Sequence, residues 1–314
     1  MNAVPAPLHS LRVPSPFNLG DARAFARWAA WKRAWKLTGE ADLMVEITDP
    51  FALTAEEMQA MGKTCLRYNM ALFKTPTPVG KGEIRALARA FGLTRLDGNL
   101  CADGDGVTTL KVADGGRGGE YIPYSDKPLR WHTDGYYNDQ RRQIGGFILY
   151  CVQDAAEGGE NALLDPEWVY LLMREEEPAW VRALSAPDAM TIPPNVENGV
   201  EIRPARAGPV FTVCQTHGTL HMRYTARKRH IQWKRDPATR EALAWLQELM
   251  STGDAPIVRR KLRPGEGIIS NNTLHNRAGF TNALGAERLF YRARYHDRIA
   301  GTGLVDLPGG VLNF

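Results

Sequence analysis

A chain of 314 residues with 44% hydrophobic side chains can bury a large core, as one big domain or two small ones. Its formal charge of +4 is small for this size and calls for neither a nucleic-acid nor a membrane partner. Four cysteines, Cys65, Cys101, Cys151 and Cys214, form no Cys-x-x-Cys pair, which argues against a zinc ribbon or a disulfide framework and for a reducing, cytoplasmic setting.

The segment Met1 to Pro16 holds Pro5, Pro7, Pro14 and Pro16 and no apolar core, so residues 1–20 read as an extended leader and not as a secretory signal. No later stretch is apolar enough to span a bilayer. Asp21 caps a predicted helix running to about Leu37, with Gly39 as its stop. Phe25, Trp28, Trp31 and Trp35 are spaced to cluster on one side, while Arg23, Arg27, Lys32, Arg33 and Lys36 supply charge. A basic, Trp-bearing helix can lie on a membrane surface, but more often it covers the end of a barrel or enters a subunit contact.

Thr54-Ala55-Glu56-Glu57 is a capping box, in which hydroxyl and carboxylate satisfy each other's orphan amides, and the helix it opens is expected to bury Met58, Met61 and Cys65. Asn69 to Phe73 reads as a strand, and Gly82 to Phe91 as a helix ended by Gly92. Gly115-Gly116-Arg117-Gly118-Gly119 lacks the spacing of a phosphate loop. It leads through Tyr121 and Tyr124 toward Trp131-His132-Thr133-Asp134-Gly135, and serves either as a lid over a substrate or as a plain connection.

Gly145 to Tyr150 is short, apolar and rich in strand formers, the pattern of a buried strand. A turn at Glu157-Gly158-Gly159-Glu160 leads into Asn161-Ala162-Leu163-Leu164. Residues 165–205 read as a helical insertion around Trp168 and Trp180, broken at Pro193-Pro194, and Phe211 to Cys214 with Thr219 to Tyr224 as a hairpin. Two basic clusters, Arg227-Lys228-Arg229 with Lys234-Arg235 and Arg259-Arg260-Lys261 with Arg263, read as a solvated face, because no nucleic-acid module accompanies them. Asp236 to about Met250 is a further helix. Pro264-Gly265-Glu266-Gly267 turns into the buried strand at Ile268-Ile269, which leads to His275. On the last strand, Arg288, Arg292 and Arg294 share one face with Phe290, and arginines facing a barrel interior need anionic partners.

The chemistry converges on His132-x-Asp134. On a strand, residues separated by one point to the same face, so an imidazole and a carboxylate can reach one ion together. His275 is the candidate third ligand. Two His and one carboxylate on one face of a divalent ion form the facial triad of non-haem Fe(II) oxygenases. Arg288 follows His275 where an anchor for a dicarboxylate co-substrate is expected.

The succession of His132-x-Asp134, Gly158-Gly159-Glu160-Asn161 to Asp165, Pro264-Gly265-Glu266-Gly267, His275-Asn276-Arg277 and Arg288-x-x-x-Arg292 resembles the taurine dioxygenase / 2,4-dichlorophenoxyacetate dioxygenase family, with features of the γ-butyrobetaine hydroxylase branch. The resemblance runs from about residue 69 to 296. It implies a mainly β chain, a double-stranded β-helix or jelly roll with flanking helices, as a single domain over residues 1–314. It also implies Fe(II) held by His132, Asp134 and His275, with 2-oxoglutarate and O2 as co-substrates and succinate and CO2 released. Arg288 would pair with the far carboxylate of 2-oxoglutarate, and Asn161 would stand where relatives often carry a Thr or Ser that donates to it. Arg292 aligns with the Arg that grips the substrate anion, and Tyr124 and Arg223 are further candidates to meet a small anionic substrate undergoing hydroxylation. Relatives commonly associate, so a homodimer or tetramer is expected. Two other classes use parts of the same pattern: a zinc-dependent hydrolase with the same ligands, which would not need Arg288, and a non-catalytic jelly-roll binding protein.

Overall fold

The computed structural model describes residues 15–98, 103–112, 122–197, 199–214, 218–227, 231–252 and 255–309. The glycine-rich stretch at 115–119, with Arg117 and Tyr121, lies outside the described residues, as do Cys101, Lys228, Arg229 and most of the leader.

Two sheets form the centre. The larger runs in the order β1 (Met44–Glu46), β2 (Met70–Lys74), β16 (Glu266–Ser270), β5 (Gly146–Gln153), β19 (Leu289–Tyr295) and β3 (Thr108–Leu110). The smaller runs in the order β15 (Val258–Arg260), β7 (Asn161–Leu164), β17 (Leu274–Arg277) and β4 (Leu129–His132). All neighbours pair antiparallel except β1 with β2. Phe147, Leu149, Ile268 and Phe290 of the large sheet meet Leu163 and Val258 of the small one, which is the inter-sheet core of a jelly roll.

Helices cover both outer faces. Met61 of α2 (Ala55–Tyr68) and Ile84 and Leu87 of α3 (Lys81–Ala90) pack with Phe73, Ile148 and Ala293 behind the large sheet. Behind the small sheet, Leu164 and Leu274 join Trp28 of α1 (Ala22–Ala34), Tyr170 of α4 (Pro166–Glu176), Val181 of α5 (Pro178–Leu184) and Leu246 of α6 (Pro237–Thr252). Smaller hairpins complete the fold. β8 (Met190–Ile192) pairs with β11 (Arg206–Gly208) and β14 (Gln232–Trp233), β9 (Asn195–Glu197) with β10 (Val200–Arg203), and β12 (Phe211–Val213) with β13 (Leu220–Met222). β6 (Glu157–Gly158) pairs with β18 (Phe280–Thr281).

Local signals and structure agree at the caps. Asp21 accepts from the Ala24 amide at 2.9 Å, although α1 ends at Ala34, short of Leu37. Thr54 and Glu57 form the reciprocal box at 3.1 and 2.7 Å. Within α2, Met61 and Cys65 are buried but Met58 is 40% exposed. The insertion after Asp165 is helical only through Leu184, and from Met190 onward it forms short strands.

Lys32 departs most from expectation: its side chain is fully buried and contacts Asp165 at 2.6 Å and Glu167 at 2.7 Å. The helix therefore faces the interior with its lysine as well as its tryptophan. In the second basic cluster, Arg260 pairs with Glu40 and Glu266 at 2.6 Å each and Arg263 with Asp154 at 2.8 Å. Among the described residues, no helix is long and apolar enough to cross a membrane.

Candidate metal centre and active site

β4 ends at His132, and β17 lies beside it with His275 directly opposite. Their rings stand 4.2 Å apart, centre to centre. Thr133 is fully buried, its amide donating to Tyr224 and its hydroxyl accepting from the Tyr224 amide, so the strand past His132 is pinned. Asp134 then falls on the same side as His132. The candidate ligand atoms of His132, Asp134 and His275 all lie within 4.8 Å of one another.

The local chemistry prepares these groups to bind a cation. Each imidazole uses Nδ1 against a backbone carbonyl, His132 on Arg130 at 2.8 Å and His275 on Thr273 at 2.9 Å. A carbonyl only accepts, so Nδ1 carries the proton and Nε2 keeps its lone pair. Asn272, in the left-handed conformation at φ 54°, clamps the backbone of Asp134. Its side-chain oxygen accepts from the Asp134 amide at 2.8 Å, and its nitrogen donates to the Asp134 and Ile144 carbonyls at 3.0 and 2.9 Å. The chain then turns away at Gly135, with φ 67°, where a Cβ would sit 2.5 Å from Ile144.

The charge states suit ligands too. Burial, reinforced by its neighbour His275, brings His132 down to about 3, and burial also lowers His275, so both imidazoles are neutral at neutral pH. For Asp134 burial pulls upward, but the guanidiniums of Arg292 and Arg294 outweigh it and hold the carboxyl well below its ordinary value. Asp134 Oδ1 lies 3.7 Å from Arg292 and 3.6 Å from Arg294, whereas Oδ2 is buried with no hydrogen-bond partner. A buried carboxylate oxygen left over beside two free Nε2 atoms is the donor set that fits a divalent ion.

Asp134 and His275 open onto a cavity of about 30 Å³ walled by Leu110, Pro123, Phe147 and Leu149 and edged by Asn161, Arg277, Arg288 and Arg292. A larger cavity of about 420 Å³ shares Asn161, Asn276 and Arg277 with it but touches none of the three candidate ligands. Arg288 is 3% exposed, stacked 3.7 Å from the Phe290 ring and 5.0 Å from Phe280, and has no ion pair among the described residues. Burial, with Arg277 adding, lowers it to about 9. The Asn161 amide nitrogen beside it is buried without a partner. Two polar groups of this kind in one cavity call for an anionic ligand.

The remaining candidates separate. Arg292 lines the cavity and leans on Asp134, with Nε buried and unpartnered. Arg223 does not line it: its guanidinium donates to the carbonyls of Tyr136 at 2.7 Å, Met190 at 2.9 Å, Arg206 at 2.9 Å and Gly208 at 3.4 Å. Tyr124 packs against the inter-sheet core, and its neighbour Pro123 reaches the cavity instead.

Two contributors, Asn272 and Arg277, escape a reading of residue types, and the inward-facing Arg294 finds the anionic partners expected for it. Arg277 shares the His275 face by the two-residue spacing, and holds the 122–127 turn through the carbonyls of Ser125 at 2.8 Å and of Lys127. Arg294 bridges Asp134 to Tyr137 at 2.9 Å and Asp97 at 2.5 Å.

Comparison with known proteins agrees with this construction. A model of the family described as taurine catabolism dioxygenase TauD, TfdA family matches residues 35–294. A uridine-5'-phosphate dioxygenase of Amycolatopsis sp. is 30% identical over 174 residues, which cover 52% of this chain and 60% of that protein. A protein of the same name from Streptomyces sp. is 31% identical over 221 residues, 67% of this chain and 77% of that one. In fold, the chain is similar to an asparagine oxygenase solved with Fe(II), 3-hydroxyasparagine and succinate, at a TM-score of 0.53 and 16% identity, covering 88% of this chain and 92% of the other. With a jelly roll whose facing strands bring two imidazoles and a carboxylate together, and a family match over most of its length, the chain belongs to the TauD/TfdA family of Fe(II)- and 2-oxoglutarate-dependent dioxygenases.

Proposed function

We propose that this chain hydroxylates an unactivated C–H bond of a small anionic substrate, with His132, Asp134 and His275 as the Fe(II) ligands. The observation that carries the reading is the buried, unpartnered Asp134 Oδ2 beside two free imidazole nitrogens, a short way from an unpaired buried arginine. Bound there, Fe(II) supplies the centre at which O2 and 2-oxoglutarate react, with succinate and CO2 released as the substrate is oxidised.

The residues of the chain do the rest. Arg288, its guanidinium 3.7 Å from the centre of the Phe290 ring, offers a planar fork to the far carboxylate of 2-oxoglutarate, and the Asn161 amide donates alongside it. Phe147, Leu149 and Leu110 keep that end of the cavity dry, which strengthens both contacts. Arg292 keeps Asp134 ionised and adds positive charge where the substrate enters. The relatives named for uridine 5'-phosphate support an anionic substrate. The free thiols of Cys65, Cys151 and Cys214 support a reducing, cytoplasmic setting.

A screen of sulfonates, amino acids, betaines, aryloxy acids and nucleotides, read by succinate release, tests the reading. An anionic compound is expected to stimulate release, and Arg292→Ala to raise its KM about tenfold or more. Weakened 2-oxoglutarate binding with unchanged substrate KM in that variant would remove Arg292 from the substrate side.

A further inference from the structure

A second carboxylate stands behind the first. Arg294 lies between Asp134 and Asp97, and all three side chains are buried. Its Nη2 donates to Asp97 Oδ2 at 2.5 Å, and its Nη1 donates to the Tyr137 hydroxyl at 2.9 Å. That same Nη1 stops 3.6 Å from Asp134 Oδ1, beyond hydrogen-bond reach. The guanidinium therefore faces two carboxylates and bonds to the one that is not a candidate ligand.

Backbone contacts fix Asp97 in this place. Residues 95–97 run antiparallel along the end of β19: Leu96 bridges to Tyr295, the Asp97 amide donates to the Arg294 carbonyl at 2.8 Å, and the His296 amide donates to the Arg95 carbonyl at 2.8 Å. The other oxygen of Asp97 lies 3.6 Å from His296 Nε2 and 3.8 Å from the exposed Arg142. Behind the metal centre, then, two carboxylates, Asp134 and Asp97, face two guanidiniums, Arg292 and Arg294.

Take away the charge of Asp97 and that balance fails in two ways. Arg294 has to move less than about an ångström to bond directly to Asp134 Oδ1. A close ion pair there draws negative charge away from Oδ2, the oxygen left for a metal. The surplus positive charge also repels an arriving dication, and screening by water is weak in so buried a place. Both effects weaken metal binding without touching a ligand.

We propose that Asp97 is a positioning residue for the metal centre: by drawing the Arg294 guanidinium onto itself, it keeps that cation from closing on Asp134 and leaves the Asp134 carboxylate to the divalent ion. The inference rests on the dioxygenase reading and adds a residue that acts on the ligand set through Arg294.

The test is a double-mutant cycle on the metal-free full chain, read by Co(II) affinity from the visible absorption of the cobalt complex, with melting temperatures taken on the same samples. Asp97→Asn keeps the shape of the side chain and removes its charge, and is expected to weaken Co(II) binding about tenfold or more. Arg294→Met should bind Co(II) at least as tightly as the wild type. In the double variant, Asp97→Asn with Arg294→Met, the loss should be erased, because the cation that Asp97 restrains is gone. A purely structural role for Asp97 would instead weaken binding by the same factor with or without Arg294. That result, or unchanged affinity in Asp97→Asn, overturns the proposal. Should Asp97→Asn fail to fold, Arg294→Met decides alone, since a comparable loss of affinity there would mean that Arg294 supports Asp134 and does not compete with the metal. His275→Ala reads the ligand set separately. Wild-type binding that His275→Ala abolishes, without the Asp97 effect, sinks the role of Asp97 alone, whereas a wild type that binds no Co(II) sinks the dioxygenase reading and this inference with it.

Discussion

Asp134 is available as a ligand because Asn272 takes over its backbone. The Asn side chain satisfies the amide and carbonyl of Asp134 and the carbonyl of Ile144, so the carboxylate is aimed by contacts it does not make itself. Asn272→Ala is therefore expected to weaken divalent-ion binding about ten- to a hundredfold, the usual effect of losing a group that orients a ligand, as read by Co(II) titration. Arg288 makes the opposite prediction for stability. It is a buried cation with no carboxylate partner among the described residues, so Arg288→Met should leave the melting temperature of the metal-free protein unchanged or raise it, while the KM for 2-oxoglutarate climbs about a hundredfold. A fall in stability with no change in KM would place Arg288 in the framework alone. At this scale the sequence shows residues whose type names a chemistry: His132, Asp134, His275 and Arg288. It hides Asn272, whose task depends on a contact 138 positions away, and Arg223, whose positive charge suggests substrate although its four carbonyl contacts make it a strut.

Among the elements, α1 shows what patterning can and cannot give. Asp21 and the Trp spacing announce a capped helix with an apolar side, and the helix is there. Lys32 reads as solvated charge, yet it is buried between Asp165 and Glu167 where α4 begins. Burial alone would lower its pKa, but the two carboxylates outweigh that and raise it, so the ammonium holds its charge. Nothing in the local sequence reveals partners more than a hundred residues away. Lys32→Ala strands two buried carboxylates and should cost about 3–5 kcal/mol in urea denaturation. A loss under about 1 kcal/mol would mean that water or neighbouring groups satisfy them equally well. The strands at 190–208, expected as part of a helical insertion, were obscured for a related reason. They are short, and β9 and β10 leave Val196, Val200 and Ile202 exposed, so neither period two nor a buried run marks them.

For the molecule as a whole, the two sheets do what no single element can: they set β4 against β17, so that His132 and His275, 143 residues apart, become neighbours. The jelly roll itself was legible because its apolar strands and turn motifs fall in a recognisable order, whereas the register that places the ligands is visible only in the assembled sheets. The same burial makes the metal-free protein acid-sensitive. His132, His275 and His221 are all lowered by burial, His132 to about 3 and His221 to about 4. Between pH 6.5 and 4 the unfolded chain therefore binds protons that the folded chain refuses, and stability is lost as the pH falls through that window. The melting temperature of the metal-free protein should drop from pH 7 to pH 5, and His221→Gln should make the drop shallower. A melting temperature independent of pH over this range would show these imidazoles to be solvated.

The most direct measurement is the absorption spectrum of the metal-free protein titrated with Fe(II) and 2-oxoglutarate in the absence of oxygen. A weak visible band is expected from the full chain and none from His275→Ala, with admission of oxygen bleaching the band as succinate forms. A folded wild-type protein that gives no band, or that turns over substrate with Zn²⁺ in place of iron, would contradict the account.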